Sequence, residues 1–289
     1  INGFEASLYS GWSVSGAGNV NGDIFDDLVI GAPYADGDYG EAYVVFGKSS
    51  TTAVDLNVDV SQGTGGFVMN RNIGPDLLGR SVSGAGDVNG DGMDDIIIGA
   101  PNAGGSAGTK VGYSFLVFGR IATAAIDLDQ LQANSGGFSI EGVGISDQAG
   151  FSVSGAGDID GDGLADLIIG SYHASSSIPT EAGKAHVVFG KSTSAPVLLA
   201  DVGNEVGGFV ASGVAAYDNL GTSVGAAGDF NGDGLDDVVI GAPQVIQGAK
   251  SDAGQSYVLF NPGIPTSLVI QLRDADTGVA IPEGVLVAE

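Results

Sequence analysis

An all-β architecture, a β-propeller of four-stranded antiparallel blades, is predicted by three features of the sequence. First, a nine-residue segment recurs four times, at 19–27, 87–95, 158–166 and 229–237, and the first residues of the copies lie 68, 71 and 71 positions apart. Second, each copy runs into the same short apolar stretch: Leu28-Val29-Ile30, Ile96-Ile97-Ile98, Leu167-Ile168-Ile169 and Val238-Val239-Ile240. These stretches are apolar at consecutive positions, the pattern of a strand covered on both faces. Third, the remaining runs are short, β-branched or aromatic, and bounded by Gly, Pro and Asp, which reads as strands and turns. One four-stranded sheet cannot bury both its faces, so so strict a period implies sheets repeated around an axis.

The elements of each repeat follow in fixed order. A short strand forms around Gly3-Phe4, Gly66-Phe67, Gly137-Phe138 and Gly208-Phe209. An alternating small-residue strand comes next, as in Ser81-Val82-Ser83-Gly84-Ala85-Gly86, where Gly and Ala suit a place of close backbone approach. The nine-residue loop follows, then the apolar strand, which closes on Gly31-Ala32-Pro33, Gly99-Ala100-Pro101 or Gly241-Ala242-Pro243. A Gly-rich turn leads to a third strand at 42–46, 113–118, 185–189 and 256–260. A polar connector, Asp55-Leu56 or Asp127-Leu128-Asp129-Gln130-Leu131, is expected to hold one helical turn.

The loop carries the donors of a hard dication, which takes oxygen ligands folded inward by a tight turn. In the second copy Asp87, Asn89, Asp91 and Asp95 supply side-chain oxygens at positions 1, 3, 5 and 9, with the Met93 carbonyl at position 7. Gly92 permits the positive φ at position 6. The third copy has Asp158, Asp160, Asp162 and Asp166 with the Leu164 carbonyl, and the fourth has Asp229, Asn231, Asp233 and Asp237 with that of Leu235. In the first copy Asn19 and Asn21 join Asp23, Asp27 and the Phe25 carbonyl, and Ile24 stands where Gly is needed. A β-branched residue disfavours positive φ, so three strong Ca²⁺ sites and a weaker fourth are expected. Asp26, Asp94 and Asp236 at position 8 are expected to face away, and the metal's role is expected to be structural, holding together carboxylates that would otherwise repel.

These Gly-Ala-Pro elements flanking a D-x-[DN]-x-D-G-x-x-D loop resemble the FG-GAP repeats of the integrin α-subunit propeller and its bacterial relatives. The resemblance covers residues 1 to 260, with departures: Ser10-Gly11, Leu78-Gly79, Ala149-Gly150 and Leu220-Gly221 replace Phe-Gly, and Gly170-Ser171-Tyr172 replaces Gly-Ala-Pro. It implies seven blades where four are visible. Two accounts of the ring follow. Residues 1–7 could complete the last blade and close four blades on themselves, covering the open edges. Alternatively the chain is a slice of a larger ring, with 267–272 as its last outer strand. Closure is the favoured account. Beyond residue 260 the period fails, and 261–289 is expected to be a linker and the start of a further β module. The opening Ile1-Asn2-Gly3-Phe4 matches the interior of a repeat, so the chain is expected to be a piece of a longer protein.

Composition bounds the partners. Thirty-five Asp and Glu against nine Lys and Arg give a net charge of −26 among 289 residues, which disfavours nucleic-acid and anionic-membrane binding. Twelve carboxylates sit at ligand positions, and four dications would bring the charge to about −18. There is no Cys, hence neither disulfides nor thiolate zinc sites. No apolar run approaches the ~20 residues that span a bilayer. His173 and His186 lack a neighbouring nucleophile motif and read as turn and strand residues, and Trp12 reads as core packing. No catalytic residues are assigned. The expected function is a secreted or cell-surface binding, adhesion or scaffold module for a protein or glycan ligand. Its contacts would be made by the variable turns 34–40, 102–112, 173–183 and 244–254, opposite the calcium loops. The alternative is an accessory propeller of a secreted hydrolase-type enzyme whose catalytic module lies outside this chain.

Overall fold

The computed structural model describes residues 1–3, 8–104, 110–131, 133, 135–174, 181–204, 206–246 and 253–260. One sheet forms around each nine-residue loop, and the sheets are stacked through their innermost strands. The first comprises β1 (Ser13–Gly18), β2 (Asp27–Ala32), β3 (Glu41–Val45) and β4 (Gly66–Asn70). The second comprises β5 (Ser81–Gly86), β6 (Asp95–Ala100) and β7 (Tyr113–Val117), followed after a two-residue strand β8 (Ile126–Asp127) by β9 (Gly137–Glu141). The third comprises β10 (Ser152–Gly157), β11 (Asp166–Ser171) and β12 (Lys184–Val188), then, past β13 (Val197–Leu198), β14 (Gly208–Ser212). The fourth shows β15 (Ser223–Gly228), β16 (Asp237–Ala242) and β17 (Gln255–Leu259). The Gly-Phe strand is therefore the outermost strand of the blade before its own loop, as Tyr43↔Val68 and Leu116↔Phe138 pairings show.

The connectors do more than the sequence suggests. Each holds one helical turn, Leu56–Val60, Leu128–Gln130 or Leu199–Val202, and Asp55 and Asp127 cap the first two by accepting backbone N–H bonds. Before that turn, β8 pairs in parallel with β4, and β13 with β9. Every connector so placed seals the outer edge of the preceding sheet. The first interface has an added tie: Arg71, at the end of β4, bonds Asp129 Oδ1 at 2.9 Å and pairs with Asp76.

Apolar layers fill the spaces between neighbouring sheets. Ile96 and Ile98 enter the layer shared with the first sheet, and Ile97 enters the layer shared with the third. This is why the run after each loop is apolar at consecutive positions: its alternating side chains each meet a different neighbour. A bulge sits in each hairpin between the first two strands, at Ala17, Ala85, Ala156 and Ala227, and turns the chain into the nine-residue loop.

The blades form an open series. β1 packs on β5, β5 on β10 and β10 on β15, and among the described residues no comparable pair joins β15 to β1. Val29, Ile97 and Ile168 are fully buried, but the equivalent Val239 is only half-buried. Val20, Val88 and Ile159 at loop position 2 are buried, whereas Phe230 is 67% exposed. Ring closure by the N-terminus, the account favoured from the sequence, is overturned. The Asn2 N–H donates to the Val54 carbonyl (2.8 Å), and Asn2 O accepts from Leu56 N–H (3.1 Å). Residues 1–3 thus lie beside the first connector rather than beside β17. Residues 4–7, 267–272 and the rest of 261–289 lie outside the described residues.

Candidate metal centres

All four loops share one scaffold. The position 3 side chain accepts the position 5 N–H: Asn21 from Asp23, Asn89 from Asp91, Asp160 from Asp162 and Asn231 from Asp233, at 2.8–3.1 Å. The position 5 carboxylate in turn accepts the position 7 N–H of Phe25, Met93, Leu164 or Leu235, at 2.6–3.0 Å. Glycine at position 4 has positive φ in every copy (Gly22, Gly90, Gly161, Gly232), a requirement the sequence reading placed only at position 6.

Position 9 is anchored from two sides. Asp27, Asp95 and Asp166 are buried, and each accepts one N–H from loop position 2 and another from the glycine after the third strand. For Asp166 these are Ile159 N–H at 2.7 Å and Gly190 N–H at 2.8 Å. Asp237, also buried, accepts from Phe230 N–H at 2.9 Å. Burial pushes the Asp95 and Asp166 carboxyls up to about 7; the backbone bonds oppose this, and the neighbouring loop aspartates add repulsion. Asp27 moves in the same direction, again through burial.

Position 1 divides the loops. Asp158 Oδ1 accepts from Gly161 and Asp162 N–H (2.8 and 3.1 Å), while Oδ2 accepts from Gly163 N–H (3.0 Å). Asp87 and Asp229 gather the same three donors. In the first loop Asn19 Nδ2 instead donates to the Asp23 carbonyl (2.7 Å), and Asn19 Oδ1 is left buried without a hydrogen-bond partner. Ile24 avoids positive φ and is 89% exposed, whereas Gly92, Gly163 and Gly234 take φ near +90°. The strain expected of Ile24 is thus relieved by a different local backbone.

Among the described residues, one group of three acidic side chains brings its oxygens within 4.8 Å of one another: Asp158, Asp160 and Asp166. An all-oxygen donor set with mutually repelling carboxylates fits a hard dication, and the orphaned Asn19 oxygen fits one at the first loop.

Two features escaped the sequence reading. At position 8, Asp94 and Asp236 reach the neighbouring loop: Asp94 Oδ2 accepts from Asn19 N–H (2.7 Å) and Asp236 Oδ2 from Asp158 N–H (2.9 Å), each one blade away. The second lies at the opposite end of the innermost strands. Trp12 is not core but 44% exposed, and it sits edge-on to Tyr9 and Tyr34. Arg80 lies between the Trp12 and Phe151 rings, 5.2 and 4.4 Å from their centroids, and Phe151 continues to Tyr172 and His173. Trp12, Arg80 and Phe151 each follow the glycine that opens an innermost strand, a signal visible only once the repeats are superposed. His186 is buried in β12, where burial lowers its pKa to about 3 and keeps the imidazole neutral.

The FG-GAP repeat model matches residues 10–45, 78–116, 149–188 and 220–259, just over half of the chain. The chain belongs to the FG-GAP repeat family. It is 30% identical over 178 residues to integrin alpha pat-2 of Caenorhabditis elegans, covering 58% of this chain and 14% of that protein. It is 32% identical over 181 residues to integrin alpha-5 of Xenopus laevis (62% and 16%). It is also 33% identical over 178 residues to phosphatidylinositol-glycan-specific phospholipase D of Bos taurus (60% and 19%). The FG-GAP chain thus spans less than a fifth of each of these relatives. Among its described residues no helix is long and apolar enough to cross a membrane.

Proposed function

We propose that this FG-GAP chain is a calcium-stabilised, extracellular binding or adhesion module. The gathering of Asp158, Asp160 and Asp166 carries the calcium reading, because three carboxylates held this close in a partly buried loop need a cation to offset their repulsion. Loops two and four repeat its first-position crown, and the first loop is the weakest site. Affinities of roughly 10⁻⁵ to 10⁻³ M are expected for such extracellular sites. Isothermal titration should give calcium heat with three stronger sites, and absence of heat, or equal binding of Zn²⁺ alone, overturns the reading.

The ligand surface is the face opposite the loops, where Tyr34 and His173 of the variable turns extend the Trp12–Arg80–Phe151 row; residues 105–109, 175–180 and 247–252 of those turns lie outside the described residues. Half-exposed aromatic rings around a guanidinium provide apolar contact and hydrogen-bond donors together, which suits a protein or glycan surface. Similarity to the phospholipase D supports a second reading, an accessory propeller beside a catalytic module. An array of glycans and extracellular proteins probed with wild type and a Trp12→Ala variant separates the two, since an accessory spacer gives no Trp12-dependent capture.

A further inference from the structure

Every metal loop described here except the last is overlaid by the loop of the next blade. The position 7 side chain of one copy lies over the position 4 glycine of the copy before: a Cβ on Gly90 or Gly161 would come 3.0 Å from the Leu164 or Leu235 methyl, and one on Gly22 would lie 3.6 Å from Met93. Beside this contact the position 8 residue meets position 1. The Asp94 N–H donates to Asn19 O (3.1 Å) while its carboxylate takes the Asn19 N–H, and Asp236 does the same at Asp158, donating to its carbonyl at 3.2 Å. The glycine before position 1 makes room, since a Cβ on Gly18 or Gly157 would collide with the Asp94 or Asp236 carboxylate. At the second loop the partner is Ala165, whose N–H still donates to Asp87 O (3.0 Å) but which has no carboxylate to offer. At the fourth loop Gly228 has open space in that place.

We propose that Asp94 and Asp236 are positioning residues that fix the first ligand of the metal loop in the preceding blade, so that cation binding and blade–blade docking are coupled. Resting on the calcium reading above, this makes the third loop the best-held site and leaves the second loop unlatched despite its intact ligand set. The aspartate acts by orienting the position 1 backbone. Through it a cation at one loop strengthens the contact with the next blade, and loss of the latch weakens both.

The test is calcium titration of the full chain and of D236A, D236N and A165D, with melting of each in excess chelator. D236A should weaken the tightest class of site by roughly 10-fold or more, the cost usual for losing an outer-shell partner, while D236N, which keeps an acceptor oxygen, stays within about threefold. A165D should tighten one of the weaker sites, a gain that loss of folding cannot mimic. Wild-type calcium heat with an unchanged D236A isotherm, or an A165D chain that binds as wild type does, overturns the coupling and leaves the calcium reading standing. Absence of heat from wild type overturns both.

Discussion

The third metal loop and the first lie on the same scaffold of position 3 and position 5 bonds, yet they are built to different standards. In the third, a carboxylate at position 1 gathers three backbone N–H groups and glycine at position 6 turns the chain. In the first, an amide and an isoleucine occupy those positions, the N–H crown is lost, and a buried oxygen is orphaned. The anchoring at position 9 is nevertheless the same in both. The period and the hairpin therefore survive without a full ligand set, because the buried position 9 aspartate holds the loop to the sheet whether or not a cation does. Fold and ligand set are separable in this repeat, and the two loops can be set against each other on that ground.

The largest effect should come from stripping all the cations. If dissociation constants are ~0.1 mM and free calcium ~1 mM, three independent sites contribute about 4 kcal/mol by mass action, which lowers the melting temperature on the order of 10 °C in excess chelator. Scanning calorimetry measures this, and an unchanged transition would make all four loops metal-free turns. The same experiment has a pH arm. Asp95 and Asp166 are raised to about 7, so the folded state holds their protons more tightly than the unfolded chain does. Their contribution is fully present below about pH 4 and is lost as pH rises to about 7. Chelated protein should therefore lose stability from these groups across that window, and calcium, which replaces the proton, should flatten the decline.

Next in size is the direct contrast between loops. Asp160→Ala with Asp162→Ala should remove one site, about 1.4 kcal/mol at tenfold saturation, and asparagine-rich loop one should yield less to Asn21→Ala with Asp23→Ala. Equal losses measured by calcium-dependent melting would erase the distinction. The converse is repair. Asn19→Asp with Ile24→Gly restores both the position 1 carboxylate and the position 6 glycine. Titration should then show a fourth site of strength comparable to the others, at most about 1.4 kcal/mol of added stability in calcium.

Much of this was legible in the residues because the repeat supplies its own control. The nine-residue loops, the inner strand and the Gly-Phe strand of the preceding blade all follow from period and local chemistry. Contacts made across blades were hidden. The partner of Asp94 is a backbone N–H some 75 residues away, and a backbone group leaves no mark on the sequence. Its only trace is the Asp-Asp pair at positions 8 and 9, with glycine before position 1. Trp12 was misread for a related reason: an aromatic that opens an inner strand looks like core until the axis end proves open. The N-terminal segment was assigned by counting strands, whereas the chain took the nearest edge, between Val54 and Leu56.

The smallest expected effect is the most diagnostic of the open end. Asp26 occupies the same position as Asp94 and Asp236, but it stands in the first blade and is exposed, with no earlier loop among the described residues to receive it. Replacing Asp94 or Asp236 with alanine removes a hydrogen bond from a half-buried carboxylate and should cost about 1–2 kcal/mol, whereas Asp26→Ala should stay within about 0.5 kcal/mol. Chemical denaturation of the three variants side by side reads the difference. If Asp26→Ala falls as far as Asp94→Ala, something occupies the front of the first blade in solution. A concentration-dependent transition would identify it as a second copy of the chain, docked by the bond that joins the inner blades. If Asp26→Ala is silent, nothing docks on the Asp26 side of the first blade in this chain, and the latch belongs to interfaces alone.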